Sequence, residues 1–223
     1  MKIIRNLVTS SAFLLFCTPL LQAQGLSSYR NFSFGMTLVQ VSSRAEQQPR
    51  DAAQLYGRPA LIQELSWRPQ SAFVSAVRSE AAERIIFSFC NGELYRIHVM
   101  YDSDATEGLT VEDMVQSISL KYGTPTRPSA EVSFPTNQPY GSPEKVIARW
   151  EDPEYSFNLF QSSSKSFGLV MFTKLVDAKV ESSIAEASRL DKLEAPQKEL
   201  DHQKKEADTL ELARQRNKKS FRP

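Results

Sequence analysis

"ERIIFSFCNGELYRIHVMY", residues 83–101, decides how this chain folds. Ile85, Phe87 and Phe89 alternate on the way in, and Tyr95, Ile97, Val99 and Tyr101 alternate on the way out. A period of two marks strands with one buried face, and Asn91-Gly92 between them marks a hairpin. Parity then decides the register. A two-residue Asn91-Gly92 turn sets Cys90 opposite Glu93 and sends the two apolar stripes to opposite faces. A three-residue loop, Cys90-Asn91-Gly92, sets Phe89 opposite Glu93, Phe87 opposite Tyr95 and Ile85 opposite Ile97. It unites the stripes and places Gly92 at a left-handed bulge position. The pattern favours that loop, with His98 on the face away from the stripe.

Upstream, "FSFGMTLVQVSSRA" (32–45) runs from a short strand into a helix. Thr37 is its N-cap, and Gln40 completes a capping box. Leu38, Val39 and Val41 begin an apolar face. Pro49 ends this stretch, and "RDAAQLY" (50–56) reads as a further helical turn or two. Gly57 stops it with a positive φ, and Pro59 forbids continuation. "ALIQELSW" (60–67) reads as a strand.

Downstream, "TVEDMVQSISLKYG" (110–123) repeats the helix signals: Thr110 caps, Asp113 completes the box, and Gly123 with Pro125 stops it. Val111, Met114, Val115, Ile118 and Tyr122 share one helical stripe. Residues 126–144 read as a Pro- and Ser-rich loop. "KVIARW" (145–150), "EYSFNLFQ" (154–161) and "FGLVMFTK" (167–174) read as strands.

The order is helix, strand, strand, strand, twice. "LYGRP" and "KYGTP" close the helices, Trp67 and Trp150 end the first strands, and "VMY" (99–101) and "VMF" (170–172) lie in the last ones. This predicts an internal repeat. The fold class is α+β: two tandem α-β-β-β units forming an antiparallel sheet packed by helices, then a long charged C-terminal helix. The boundaries are 1–23 (signal peptide), 24–104 (first unit), 105–174 (second unit) and 175–223 (charged extension).

"MKIIRNLVTSSAFLLFCTPLLQAQG" has the order of a signal peptide: Lys2 and Arg5, an apolar run from Leu7 to Leu21, and small Ala23 for cleavage. The run is short for a membrane span, and Phe16 before Cys17 argues against lipidation. The expected location is periplasmic or secreted. The mature chain then holds one cysteine, Cys90, and no internal disulfide. A formal net charge of +1 gives no basic excess for nucleic acid. Thirteen Phe and seven Tyr supply core material.

The tail places Val176, Val180, Ile184, Ala187 and Leu190 on one stripe, is interrupted by Pro196, and continues with a thin stripe at Leu200, Ala207 and Leu210. It reads either as a solvated helix or as a coiled coil or partner-binding arm. Membrane contact is expected only through the signal peptide or the basic end, Arg214, Arg216, Lys218, Lys219 and Arg222.

Residue patterns that carry chemistry are few. His98 and His202 are the two histidines. No H-E-x-x-H, C-x-x-C, G-x-S-x-G or phosphate-binding glycine loop occurs. Cys90 and His98 share a face of the hairpin but stand too far apart along it for a nucleophile and its base. No catalytic, cofactor-binding or metal-binding residue is assigned, and binding residues stay open.

The run "FGMTLVQV…LYGRPALIQELSW…RIIFSFCNGELYRI" resembles the SmpA/OmlA-type small lipoproteins of outer-membrane assembly, through Gly35, Met36, Thr37, Val41, Gly57, Pro59, Trp67 and Gly92. The tandem arrangement is similar to that of β-lactamase-inhibitor proteins, in which two such units form one concave sheet. The resemblance covers about residues 32–101, and more faintly 108–173. It implies fold and binding character: an exported, non-enzymatic protein-binding module of the bacterial envelope. An inhibitor of a secreted or periplasmic hydrolase and an uncharacterised hydrolase are the alternatives.

Overall fold

The computed structural model describes residues 25–69, 81–132, 144–162 and 166–222. The signal-peptide reading of 1–23, residues 70–80, the core of the expected loop at 133–143 and residues 163–165 lie outside them.

The described residues begin with a two-stranded ribbon, β1 (Ser28–Tyr29) and β2 (Phe32–Ser33), followed by helix α1 (Leu38–Arg44). Four strands follow: β3 (Ala53–Tyr56), β4 (Ile62–Trp67), β5 (Ala82–Cys90) and β6 (Glu93–Tyr101). Helix α2 (Val111–Tyr122) precedes four more: β7 (Glu131–Val132), β8 (Glu144–Glu151), β9 (Tyr155–Gln161) and β10 (Phe167–Thr173). Helix α3 (Lys174–Ser220) ends the chain. The fold is α+β, as the patterning predicts. Both capping boxes form: Thr37 and Thr110 each accept from the backbone three residues on, and Gln40 and Asp113 reach back.

Among the described residues one antiparallel sheet holds eight strands in the order β3-β4-β5-β6-β10-β9-β8-β7. The order is symmetric: each short helix is followed by a four-strand meander, and the last strands, β6 and β10, pair at the centre. On the first face one apolar layer draws on both halves. Phe32, Val41, Phe87, Ile97, Met114, Ile118, Trp150, Phe157 and Met171 belong to it. The second face carries the first turns of α3 and two smaller apolar clusters.

The central hairpin corrects the expected register. Asn91 and Gly92 form a two-residue turn with φ of 51° and 86°, and Cys90 faces Glu93. Phe89 then faces Leu94, but Ser88 faces Arg96, so Tyr95 is an extra residue bulged out of β6. Beyond it Phe87 faces Ile97 and Ile85 faces Val99. Ile97 and Val99 do share the face of Phe87 and Ile85, as parity requires, but Tyr95, expected in that stripe opposite Phe87, leaves it for the second face. The odd residue is spent inside the strand instead of in the loop, which leaves the Asn-Gly turn with the twist a hairpin prefers.

Other expectations also change. Residues 53–56 are a strand, not a helical turn, and "LYGRP" is the β3–β4 turn with a cis Arg58-Pro59 bond. Gly57 has no positive φ there, whereas Gly123 has φ 84° and does end α2. The two motifs are therefore alike in letters but not in backbone. "VMY" and "VMF" differ too: Met100 lies opposite Gly168 and is 36% exposed, whereas Met171 lies opposite Ile97 in the first-face core. Part of the expected loop 126–144 is ordered against the sheet, since Thr126 and Arg149 exchange backbone hydrogen bonds of 2.8 Å and β7 pairs with β8. Pro196 does not interrupt the tail: the helix runs through it to Ser220.

Candidate functional site

The site is built by the bulge. A strand alternates its side chains, so Tyr95 and Arg96 would normally part. The extra residue turns both toward the second face: Tyr95 packs with Ile62 and Val180, while Leu94 and Ile97 stay in the first-face core. Arg96 then donates through Nε (2.8 Å) and Nη2 (2.5 Å) to Oδ1 of Asp177, in the first turn of α3. The two side chains are 6% and 9% exposed. The guanidinium also lies 5.3 Å from the centre of the Phe172 ring. Next to it, Ser88 donates to Glu64 at 3.2 Å. Burial pushes the Asp177 and Glu64 carboxyls above their ordinary values, and Arg96 pulls against it.

Apolar contact completes the dock. Val176, Val180 and Ile184 pack against Leu55, Tyr56, Ala60, Ile62, Cys90 and Tyr95. Lys174, the first residue of α3, donates to the Asp152 carbonyl and pairs with Glu151, both at 2.7 Å. Further along, Arg58 in the β3–β4 turn donates to both carboxylate oxygens of Glu194, at 2.7 and 2.5 Å. Arg58 holds the Glu194 carboxyl down to about 2. This pair is exposed and adds little stability.

Ala187 is the last buried residue of α3. Ser188–Ser220 then runs on as a helix about 50 Å long, at 1.5 Å per residue, with the exposed Arg58–Glu194 pair as a further contact to the β3–β4 turn. The helix braces itself with Arg189–Glu186 (2.7 Å), Lys198–Glu194 (3.3 Å) and Arg214–Glu211 (3.0 Å) pairs, each worth a few tenths of a kcal/mol. Leu193 (64% exposed), Leu200 (59%) and Ala207 recur every seven residues, with Leu210 (72%) three further on. That is the spacing of a thin coiled-coil seam. No acidic residue follows Glu211, while Arg214, Arg216, Lys218, Lys219 and Arg222 do.

Cys90 and His98 share the second face, but Cys90 stands opposite Glu93 and His98 opposite Ile86. Ile86 and Cys90 are four residues apart on β5, about 13 Å. Burial pushes the Cys90 thiol up, away from thiolate, and pushes His98 down to about 4, leaving it neutral. They make no nucleophile–base pair. Among the described residues no group of three or more His, Cys, Asp and Glu could hold a metal ion. No described helix is long and apolar enough to cross a membrane.

The TP0088 domain model matches residues 27–187. The chain belongs to the TP0088 domain family. The matched stretch ends at Ala187, where α3 leaves the sheet, so the TP0088 domain includes the dock and excludes the exposed helix. No curated protein matches the chain. Among solved structures, a cysteine-rich secretory protein from Staphylococcus aureus subsp. aureus Mu50 is 12% identical, with a TM-score of 0.34, over 67% of this chain and 46% of that one. The chain thus spans less than half of that protein's length, and a likeness at this level carries no argument.

Proposed function

We propose that this TP0088-family protein is an exported, non-enzymatic binding module of the bacterial envelope that presents α3 to a protein partner. One observation carries the reading. The helix is anchored by a buried ion pair and an apolar cluster, and past the exposed Arg58–Glu194 pair it continues through solvent to Ser220 with its leucines exposed. Isolated helices are marginal in water, and an apolar seam on one is stabilised when a second helix covers it. Export rests on the N-terminal sequence, and the resemblance to assembly lipoproteins agrees with an envelope setting.

The test is photo-crosslinking in the native cell, from a reactive residue placed at Leu200 or Leu210 of the full chain. The expected result is one discrete adduct with a second protein, lost when Leu193, Leu200 and Leu210 are all changed to Gln. No adduct from either position, or adducts only between copies of this chain, would refute the reading.

A further inference from the structure

A cavity of about 290 Å³ opens between α2 and the first face of the sheet, lined by Tyr29, Tyr101, Met114, Ile118, Tyr122 and Leu169 among others. It is separate from the α3 dock, and nothing about the exposed helix bears on it. Its walls are mostly apolar, with phenol hydroxyls set among them. Tyr101 and Tyr29 are hydrogen-bonded to each other. Tyr122 is 9% exposed, and its buried hydroxyl has no hydrogen-bond partner among the described residues. A buried hydroxyl without a partner costs stability, so something must favour keeping it.

The charge in the described lining is positive. Lys121, also in the lining, lies 5.1 Å from the centre of the Tyr122 ring. Arg30 lies 5.2 Å from the centre of the Tyr29 ring. The two cations feel each other: burial and then Arg30 lower the Lys121 ammonium from its ordinary value. No aspartate or glutamate stands in the described lining, and Lys121 has no carboxylate partner among the described residues. An ammonium half-buried beside an unpaired phenol donor invites an anion. The volume is about ten times the ~30 Å³ share of one water molecule, room for roughly ten heavy atoms.

We propose that this cavity binds a small amphipathic anion, a free medium-chain carboxylate. Its tail lies against Met114, Ile118 and Leu169, and its head is taken by Lys121 and the Tyr122 hydroxyl. Burial raises the Tyr101 and Tyr122 hydroxyls well above their ordinary values, so they stay protonated donors beside the carboxylate.

The test is calorimetric titration of the full chain with monomeric decanoate, decanol and decyltrimethylammonium. Decanoate should bind once per chain and at least tenfold more tightly than the cation. Lys121→Glu, a half-exposed position that leaves the core intact, should reverse that order. Ile118→Trp should fill the cavity and abolish binding of all three, with a melting curve to show that the variant is folded. Equal affinity for anion and cation, no binding of decanoate, or decanoate binding unchanged in Lys121→Glu would each overturn the proposal. Vesicles of anionic phospholipid separate the two sources of such a chain. Binding to vesicles without binding to free decanoate would also overturn it.

Discussion

Breaking the Arg96–Asp177 pair should unlatch α3 from the sheet at a large cost in stability. Both side chains are almost wholly buried, and Nε and Nη2 of Arg96 donate to the same oxygen of Asp177. Removing one partner strands the other charge, at a cost of about 3–5 kcal/mol. Replacing both by apolar groups removes the desolvation of two ions along with their attraction, and leaves stability within about 1 kcal/mol of the parent or above it. Arg96→Met and Asp177→Leu therefore form a double-mutant cycle with a large coupling term. At a urea slope of ~2 kcal/mol per molar, each single variant shifts the midpoint down by about 1.5–2.5 M, and the double variant restores it. Trp67 and Trp150 report the transition from the first-face layer, away from the mutated pair. The pH dependence has a definite sign. Burial sets the folded value of Asp177 above its ordinary 3.8, so between the two the folded chain holds more protons than the unfolded one. Stability from this group is then lost as pH rises through that window, and Asp177→Leu removes the slope. Single variants costing under 1 kcal/mol, or a double variant as unstable as the sum of the singles, would refute the claim that this pair is a buried latch on α3.

Four further outcomes follow from the backbone, the second face and the exposed helix. Gly123 has φ 84° and ψ −159°, a region essentially restricted to glycine, so Gly123→Ala should cost about 1–3 kcal/mol by urea denaturation. Gly57→Ala should stay within about 0.5 kcal/mol, because an added Cβ meets only the end of the Gln54 side chain, at 2.8 Å. His98 is held down to about 4 from its ordinary 6.5 by burial, then by Arg96 and Arg84. The unfolded chain takes up that proton first, so stability should fall by up to about 3 kcal/mol as pH drops from 6.5 to 4, and His98→Gln should flatten that slope. Pro196 lies inside α3, where proline costs about 3 kcal/mol. Pro196→Ala should raise helical circular dichroism and leave the tryptophan-monitored midpoint unchanged, since that stretch of helix is solvent-exposed.

Most of this fold is legible because its signals are local. Thr37 with Gln40, Thr110 with Asp113, and the stripe from Val111 to Tyr122 each act within a few residues, and each forms as patterned. What local signals cannot carry is where a strand stores an odd residue. Parity shows that one is needed near Asn91-Gly92, but a three-residue loop and a bulge at Tyr95 satisfy it equally. The choice depends on what lies above the second face, and that is Val180 and Asp177, eighty and more residues downstream. The "YGRP" misreading has the same origin. Tyr-Gly-x-Pro suits a helix stop and a hairpin turn alike, and residues 53–56 become a strand because β4 pairs with them. The dock could have been suspected from one oddity, an arginine in the middle of an apolar strand, where an unpaired charge is too costly to bury.

The bulge also joins two decisions that look separate. A regular hairpin with the Asn91-Gly92 turn would put Ile97 and Val99 on the opposite face from Phe87 and Ile85, and the first-face core would lose half its centre. Adding one residue at Tyr95 repairs that core. In the same step it sends two neighbouring side chains, Tyr95 and Arg96, to the second face, one to fill an apolar cluster and one to hold Asp177. The register of the core and the docking of α3 are therefore set by the same residue. That link bears on function, because the TP0088 domain ends at Ala187, just past this dock. The direction of the exposed helix is set by its first turns, where Asp177, Val180 and Ile184 are held. A chain that folded with the regular register would lose both its core and the placement of that helix, so the helix can leave the sheet in this way only from a correctly folded domain.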